Sequence, residues 1–310
     1  MVMFNKILAV IAPETDEQKA LDRALLIATK TGASVTAFLT IYDFSYEMTT
    51  MLSVDERETM RQAVVDDRTD WLAEIVQPLA TKYPVSLDIK VVWHNRPFES
   101  IIYEVIDNNY DLVVKGTREH DTLKSVIFTP TDWHLLRKSP VPTLLVKEHD
   151  WPENGNLLAA LDVGTQDEEH QNLNNKMTKI TIELANLLSG YPNIVNSYPG
   201  TPVNIAIEIP EFDPTSYTES VKKHHQEGMI EHTKKFNIDS KRVFVNEGLP
   251  EDVIPNVAQQ IDAELVVIGT VGRTGITAAL IGNTAEHVID SLNCDVLAIK
   301  PDGFICPIRR

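Results

Sequence analysis

The sequence predicts an α/β fold built from two similar units in tandem, each a five-stranded parallel sheet with helices on both faces. Three observations lead to this prediction. Short apolar runs typical of buried strands alternate with amphipathic helical stripes along the chain. The second half repeats the pattern of the first. The length of 310 residues and the hydrophobic content of 43% give room for two cores of ordinary domain size.

The first half reads as strands and helices in alternation. A run at Asn5–Ala12 predicts the first strand. Thr15 and Gln18 then have the spacing of a capping box, which predicts a helix that ends at Gly32. The remaining elements are a strand at Ala33–Tyr42, a helix from the Ser53–Glu56 capping box to Lys82, a strand at Val85–His94, a helix at Pro97–Asn108, a strand at Asp111–Gly116, a helix at Thr131–Lys138 and a strand at Val141–Lys147.

An internal repeat relates the two halves. Leu157–Asp162 matches Ile7–Ala12 at an offset of 150, and the later strands and turns match at an offset of 153. Several elements that coincide at a nearly fixed offset indicate two copies of one supersecondary unit. We therefore expect one domain at residues 1–149 and a second at residues 155–303, joined through the linker Glu148–Asn154.

Composition excludes several classes of function. The net charge of −17 disfavours binding to nucleic acid or to anionic membranes. No apolar run approaches the roughly 20 residues that span a bilayer, and no signal peptide is evident at the start of the chain. Two cysteines are too few for a disulfide framework, so we expect a reduced, cytoplasmic setting.

The stretch Gly269–Thr284 has the pattern of a phosphate-binding turn. It follows a strand-like run at Ala263–Ile268 and leads into an amphipathic helix. Glycines allow the backbone to approach a phosphate, and a helix start presents N–H groups and the positive end of a dipole. In an open parallel sheet, ligands bind where the strand order reverses. That point is predicted between the first and fourth strands, which end at Asp162 and Gly269 in the second half.

These residues resemble the nucleotide-binding pattern of the universal stress protein family, over nearly the whole chain. The family pattern places Gly269, Gly272 and Gly282 at its three glycines, and Asn283 at its Ser or Thr position, with Thr284 next. The resemblance implies an adenosine contact at Asp162, a base contact near Tyr198, and ATP or a related adenine nucleotide as ligand. A Mg²⁺ ion would accompany such a nucleotide. Arg273 could reach a phosphate, although an exposed loop arginine is more often only solvated.

The resemblance also implies an adenine-nucleotide-hydrolase-like fold and a role in stress-response binding or sensing. Single-domain relatives pair through their last strand. By resemblance, Thr143–Val146 and Val296–Ile299 would meet in an internal pseudo-dimer, and a homodimer or another protein partner stays open.

The first half departs from the family pattern. Glu119 occupies the second glycine position, Thr129 the third, and Ala12 the aspartate position at the end of the first strand. A carboxylate at short range repels a phosphate. We therefore expect that the first half does not bind ATP in the manner of the family.

Other interpretations stay open at this point. The glycines could be turn formers only, and Asp162 could cap the following helix. Apolar connections after the second strand of each half, Ile41–Leu52 and Val203–Pro210, would suit an apolar or acyl-bearing ligand or a partner edge. A slow ATPase is the weakest alternative. His224, His225 and His232 lack the partners of a metal site, and no triad residues are evident, so neither metal-ligating nor catalytic side chains are predicted.

Overall fold

The computed structural model describes residues 4–13, 15–46, 48, 52–119, 126–147, 150–201, 213–270 and 283–309. The chain forms two compact units. The first unit contains the described residues up to 147 together with 305–309, and the second contains 150–304. None of the described helices is long and apolar enough to cross a bilayer.

The first unit contains one parallel sheet. Among its described residues the strand order is β3-β2-β1-β4-β7, so the first and fourth strands are neighbours. The strands are β1 at Lys6–Val10, β2 at Ser34–Ile41, β3 at Leu87–Trp93, β4 at Leu112–Gly116 and β7 at Thr143–Val146. A short antiparallel pair, β5 at Arg118–Glu119 and β6 at Val126–Ile127, lies between β4 and the next helix.

The helices of the first unit connect its parallel strands, as the crossover of a parallel pair requires. They are α1 at Lys19–Thr31, α2 at Val54–Lys82, α3 at Pro97–Asn108 and α4 at Pro130–Lys138. The capping box at Ser53 and Glu56 is present at the start of α2, and Gly32 ends α1 with a left-handed φ of 78°. Both features confirm the sequence prediction, because only glycine adopts that φ without a steric penalty.

The predicted capping box at Thr15 and Gln18 is wrong. Gln18 is itself the N-cap of α1 and makes no cap hydrogen bond with its side chain. Its amide instead holds the backbone of Ala12: Ala12 N donates to Oε1 at 2.9 Å, and Nε2 donates to Ala12 O at 2.8 Å. The side chain thus fixes the chain where it leaves β1.

The second unit repeats the topology. Among its described residues the strand order is β10-β9-β8-β11-β12, and all pairs are parallel. The strands are β8 at Asn156–Ala160, β9 at Tyr191–Tyr198, β10 at Val243–Glu247, β11 at Ala263–Gly269 and β12 at Asp295–Ile299. The helices are α5 at Glu168–Leu187, α6 at Pro214–Phe236, α7 at Pro250–Gln260 and α8 at Asn283–Ser291. The α/β fold and the parallel sheets confirm the predicted fold class.

The last residues of the chain pack on the first unit. Cys306 and Ile308 contact the core cluster formed beneath α3 and α4, and Cys306 Sγ donates to Lys138 O at 3.2 Å. Tyr103 donates its hydroxyl to Arg309 O at 3.3 Å. The core of the first unit therefore includes residues that follow the second unit in the sequence, which the repeat does not predict.

Shortening the tail side chain should destabilise the first unit. We expect Ile308→Ala to lower the free energy of unfolding by about 1–2 kcal/mol, because the side chain is partly buried against the core. Ile305→Ala is the matched control, since Ile305 is 66% exposed, and it should change stability by less than about 0.5 kcal/mol. Urea denaturation measures both. Equal effects of the two substitutions would show that the tail adds nothing to the core.

Candidate functional site

The carboxyl ends of β8 and β11 meet at the predicted switch point. Ala160 pairs with Ile268, so the chain leaves both strands side by side. Asp162 follows β8, and Gly269 ends β11. We call the residues at these ends, together with the end of β9 and the start of α8, the strand-end site. The sheet order alone brings the ends of β8, β9 and β11 together.

Asp162 is an exposed carboxylate on a firmly held backbone. Asn174 of α5 receives a hydrogen bond from Asp162 N at 3.3 Å and donates to Asp162 O at 2.7 Å. Asp162 Oδ1 accepts from Gly164 N at 3.2 Å. The interpretation of Asp162 as a helix cap is wrong, because Asp167 is the N-cap of α5 and accepts from His170 N at 3.0 Å.

Gly269 and Thr270 have structural roles of their own. A Cβ at Gly269 would lie 2.7 Å from Leu173 Cδ2, so a side chain there would force Leu173 of α5 to move. Thr270 is buried, and its N and Oγ1 both donate to Ile299 O, at 2.9 and 3.3 Å. This pair fastens the end of β11 to β12, which is a reason for the Gly-Thr sequence that does not involve a ligand.

The structure describes only some of the remaining residues of the predicted phosphate-binding turn. Gly272, Arg273 and Gly282 lie outside the described residues, and the side chain of Asn283 does too. Asn283 begins α8, and Thr284 is exposed in its first turn. The apolar connection predicted at Val203–Pro210 also lies outside the described part of the chain.

Tyr198 lies at the end of β9 but is only 4% exposed. Its ring is tilted against that of His225 at a centroid distance of 5.7 Å. Burial, and to a smaller extent the charge of Glu247, raise the pKa of Tyr198. The phenol is therefore part of a packed wall beside Asp162 rather than an open contact surface.

Sequence reasoning missed the polar side chains that support the Asp162 turn. Asn196 Oδ1 accepts from Val163 N at 3.1 Å, and the His225 ring lies so close to Gly164 that a Cβ there would be 2.2 Å from its Cε1. Asn174 was missed as well. The signal was available on α5, where Asn174, Thr178 and Thr181 interrupt an otherwise apolar buried stripe at helical spacing.

In the first unit, the helix start that corresponds to the start of α8 is occupied by the carboxylate of Asp132. Thr129 is the N-cap of α4, and Asp132 completes a capping box in which Thr129 N donates to Asp132 Oδ2 at 2.6 Å. Asp132 is 0% exposed, and its Oδ1 lies 2.6 Å from Lys115 Nζ. A helix start and an ammonium group would attract a phosphate. Here both already bind Asp132.

The other first-unit positions agree with this picture. Ala12 offers no carboxylate, and Gln18 occupies its backbone. Thr117 donates through N and Oγ1 to Val146 O, at 2.9 and 3.0 Å, just as Thr270 fastens β11. Glu119 lies in β5, but its side chain is outside the described residues, so its expected repulsion of phosphate stays a prediction.

Replacing Asp132 with a neutral residue should destabilise the first unit. We expect Asp132→Asn to lower the free energy of unfolding by about 3 kcal/mol, because the cap acceptor is kept while Lys115 loses its buried counterion. Urea denaturation is the measurement. Glu58→Gln is the control, since its ion pair with Arg61 is exposed and should contribute less than about 1 kcal/mol. A neutral Asp132→Asn effect would contradict an ionic role.

Two histidines of α6 are buried against the sheet and α5. His225 is 9% exposed, and its pKa is lowered by burial and by the neighbouring His224, against a smaller opposing effect of Asp162. His232 is 6% exposed, and burial lowers its pKa to about 4, with Lys235 acting in the same direction. Among the described residues, no group of three or more His, Cys, Asp or Glu side chains could hold a metal ion.

Comparison with known proteins gives consistent matches over the chain. The profile of the universal stress protein family matches residues 3–147 and 193–300. The chain is 50% identical to universal stress protein E of Escherichia coli K12 over 310 residues, covering 100% of this chain and 98% of that one. It is 43% identical over 306 residues to the universal stress protein E homolog of Haemophilus influenzae, covering 96% and 98%.

Solved structures of universal stress proteins also resemble this chain over nearly its whole length. A putative universal stress protein from Pseudomonas aeruginosa superposes with a TM-score of 0.76 at 30% identity, covering 97% of this chain and 95% of that one. A universal stress protein from Archaeoglobus fulgidus has a TM-score of 0.63, covering 96% and 98%; at 15% identity that match supports the fold alone.

Proposed function

Since the chain belongs to the universal stress protein family, with two such domains in tandem, we propose that its second unit binds ATP or a related adenine nucleotide as a sensor in the stress response. The observation that carries the proposal is the exposed carboxylate of Asp162. It stands on a backbone held by Asn174, beside the end of β11, at the switch point of the sheet.

The strand-end site offers a group for each part of such a ligand. Asp162 would accept hydrogen bonds from the ribose hydroxyls, since an ionised carboxylate is a strong acceptor for O–H donors. The start of α8 at Asn283 and Thr284, with Gly272, Arg273 and Gly282 of the preceding turn, would hold the phosphates. The packed wall of Tyr198 and His225 would border the base.

Mg²⁺ would be held mainly by phosphate oxygens of the nucleotide, as is usual for this ion. Asp162 would lie at the ribose end of the ligand and would therefore not act as a general base at the phosphates. Binding rather than turnover is therefore the proposed activity, and a slow ATPase remains the weaker alternative. A ligand that prefers one arrangement of the turn before α8 would stabilise that arrangement and so change contacts with a partner.

The first unit would not take part in nucleotide binding. Its helix start is capped by Thr129 and Asp132, and the charge of Lys115 is compensated by Asp132. A phosphate would have to displace a buried carboxylate from both groups, at a cost that binding energy would have to offset. The proposed sensor therefore has one nucleotide site per chain.

Equilibrium binding of labelled ATP tests the proposal. We expect saturable binding at millimolar ATP or below, loss of binding in Gly272→Asp, and about 10-fold or greater weakening in Asp162→Asn, since hydrogen bonds to charged groups contribute about 1.5–3 kcal/mol. Asp150→Asn, an exposed aspartate before β8, is the matched control and should bind normally. No saturable binding to the wild-type protein would remove the nucleotide function.

An exposed aromatic cluster in the first unit favours a second candidate function, a scaffold or carrier for an apolar ligand. Tyr42 and Tyr46 pack edge-on against Trp93, at centroid distances of 5.8 and 5.5 Å. Phe44 is 61% exposed and Met48 is 63% exposed. The cluster lies where β2 and β3 end. Exposed apolar surface of this kind is common at binding sites for apolar ligands and partners.

Native mass spectrometry of freshly purified protein tests the carrier function. We expect a bound apolar or acyl-bearing molecule in the wild type and its loss in Phe44→Ser, because a hydroxymethyl group removes exposed ring surface from the cluster. Ile106→Ser, which alters an exposed apolar side chain on α3, is the control and should retain the molecule. A wild-type protein that carries nothing, or equal retention in both variants, would count against this function.

A further inference from the structure

The buried face of helix α6 in the second unit is unusual in its composition. Only three described residues of this 23-residue helix are buried: His225, Met229 and His232. Two of the three are titratable, although buried ionisable groups are rare unless they are paired or neutral. The packing of α6 on the sheet thus depends on two imidazoles.

His225 is hydrogen-bonded as a neutral imidazole. Asn196 Nδ2 is the nearer amide atom to His225 Nδ1, at 3.1 Å, and an amide nitrogen can only donate, so Nδ1 accepts from it. A proton on Nδ1 would remove that acceptor. The imidazolium could then donate only to Asn196 Oδ1, 3.3 Å away, while its N–H faced the N–H of Asn196 Nδ2 at 3.1 Å, which is a repulsive contact.

His232 is buried and donates one hydrogen bond from its ring, which both the neutral ring and the imidazolium can make. Thr178 Oγ1 donates its hydrogen to Asn174 O at 2.8 Å, so it accepts from His232 Nε2 at 2.8 Å. The other face of the ring packs against Phe236 at a centroid distance of 5.0 Å. A second proton would place a positive charge in this buried setting with Lys235 nearby.

The two histidines bond to the residues that hold the Asp162 turn. His225 reaches Val163 N through Asn196. His232 reaches α5 through Thr178, one turn from Asn174, whose side chain holds both backbone groups of Asp162. His224 adds a direct contact, since its Nε2 lies 3.2 Å from Gly164 O. Helix α6 is therefore connected to the turn from two sides.

We propose that α6 is a proton-responsive latch: protonation of His225 and His232 releases the helix and loosens the backbone of Asp162–Gly164. The consequence for ligand affinity rests on the proposed nucleotide function, whereas the loosening of the turn does not. The charged or titratable groups that face the two rings are Asp162, which favours protonation of His225, and His224 and Lys235, which oppose protonation. Tyr198 faces His225, and Glu247 lies near that phenol.

The direction in which pH changes the stability of the latch follows from the burial of both histidines. Both histidines have a lower pKa in the folded state than the ordinary 6.5, so the closed latch is fully stable above pH 6.5 and is weakened as the pH falls from there toward 4. For His232 alone, a shift to about 4 makes opening of the latch about 30-fold more frequent at pH 5 than at pH 7.5.

Hydrogen exchange of the intact chain tests the latch at pH 7.5 and pH 5, after correction for the intrinsic pH dependence of exchange. We expect protection of α6 and of the amides of residues 162–164 to fall about 30-fold at pH 5 relative to the remainder of the second unit. The variants His225→Asn and His232→Gln replace each ring with a neutral amide, whose oxygen can accept where Nδ1 of His225 stands and whose nitrogen can donate where Nε2 of His232 stands. The double variant should lose this extra pH response. His287→Gln, which alters an exposed histidine, should keep it.

The outcomes separate this proposal from the nucleotide function. An unchanged pH response in the double variant would overturn the latch, and so would a response confined to α6 that leaves residues 162–164 protected. If the double variant does not fold, as judged by circular dichroism, His232→Gln alone decides the same question. Absence of ATP binding at pH 7.5 would remove the nucleotide site and leave the exchange result standing.

Discussion

The constraint on which the rest of the structure depends is the parallel pairing of strands in the order 3-2-1-4-5 within each unit. Parallel neighbours need helical crossovers, so all the carboxyl ends of the strands lie at one edge of the sheet. The order makes the first and fourth strands adjacent, and the chain diverges from that point to opposite faces. Asp162 and Gly269 are more than 100 positions apart in the sequence, yet they become neighbours for this reason alone.

The two units share this strand order but differ in charge at the carboxyl ends of their strands. In both units a side-chain amide holds the backbone just after the first strand, Gln18 in one and Asn174 in the other. In both units a threonine fastens the fourth strand to the fifth. The difference lies in charge. The second unit presents an outward carboxylate at Asp162, whereas the first places the buried carboxylate of Asp132 between Lys115 and a helix start. One arrangement leaves polar groups available to a ligand, and the other satisfies them internally.

Much of the fold could be predicted from the sequence, because it follows from periodicity and from end signals. The α3 helix at Pro97–Asn108 and the box at Ser53 are local patterns, and the adjacency of the first and fourth strands follows from the general rule for open parallel sheets. The Thr15 box failed because a tertiary demand on Gln18 outweighed the local pattern. The packing of Ile308 on the first unit also could not be predicted, since a single apolar residue outside the repeated pattern carries no information about its partner.

The residues at the strand ends of the candidate site could be predicted from the sequence, whereas the side chains that hold them in place could not. Strand ends and glycine spacing identify Asp162 and Gly269, but spacing does not reveal that a side chain on Gly269 would collide with Leu173. The roles of Asn174, Asn196 and His225 depend on three-dimensional contacts between α5, α6 and β9. Asp132 is a further example, because an aspartate three residues after a threonine reads as an ordinary cap until Lys115 is seen beside it.

The central claim is that the two units differ in ligand access: the second can receive an adenine nucleotide at its strand ends and the first cannot. Photoaffinity labelling of the full chain with 8-azido-ATP, followed by mapping of the labelled peptides, tests this most directly. The account predicts label that is competed by ATP and confined to peptides of residues 155–303. Competed label in peptides of residues 3–147, around Lys115 and Asp132, would contradict it.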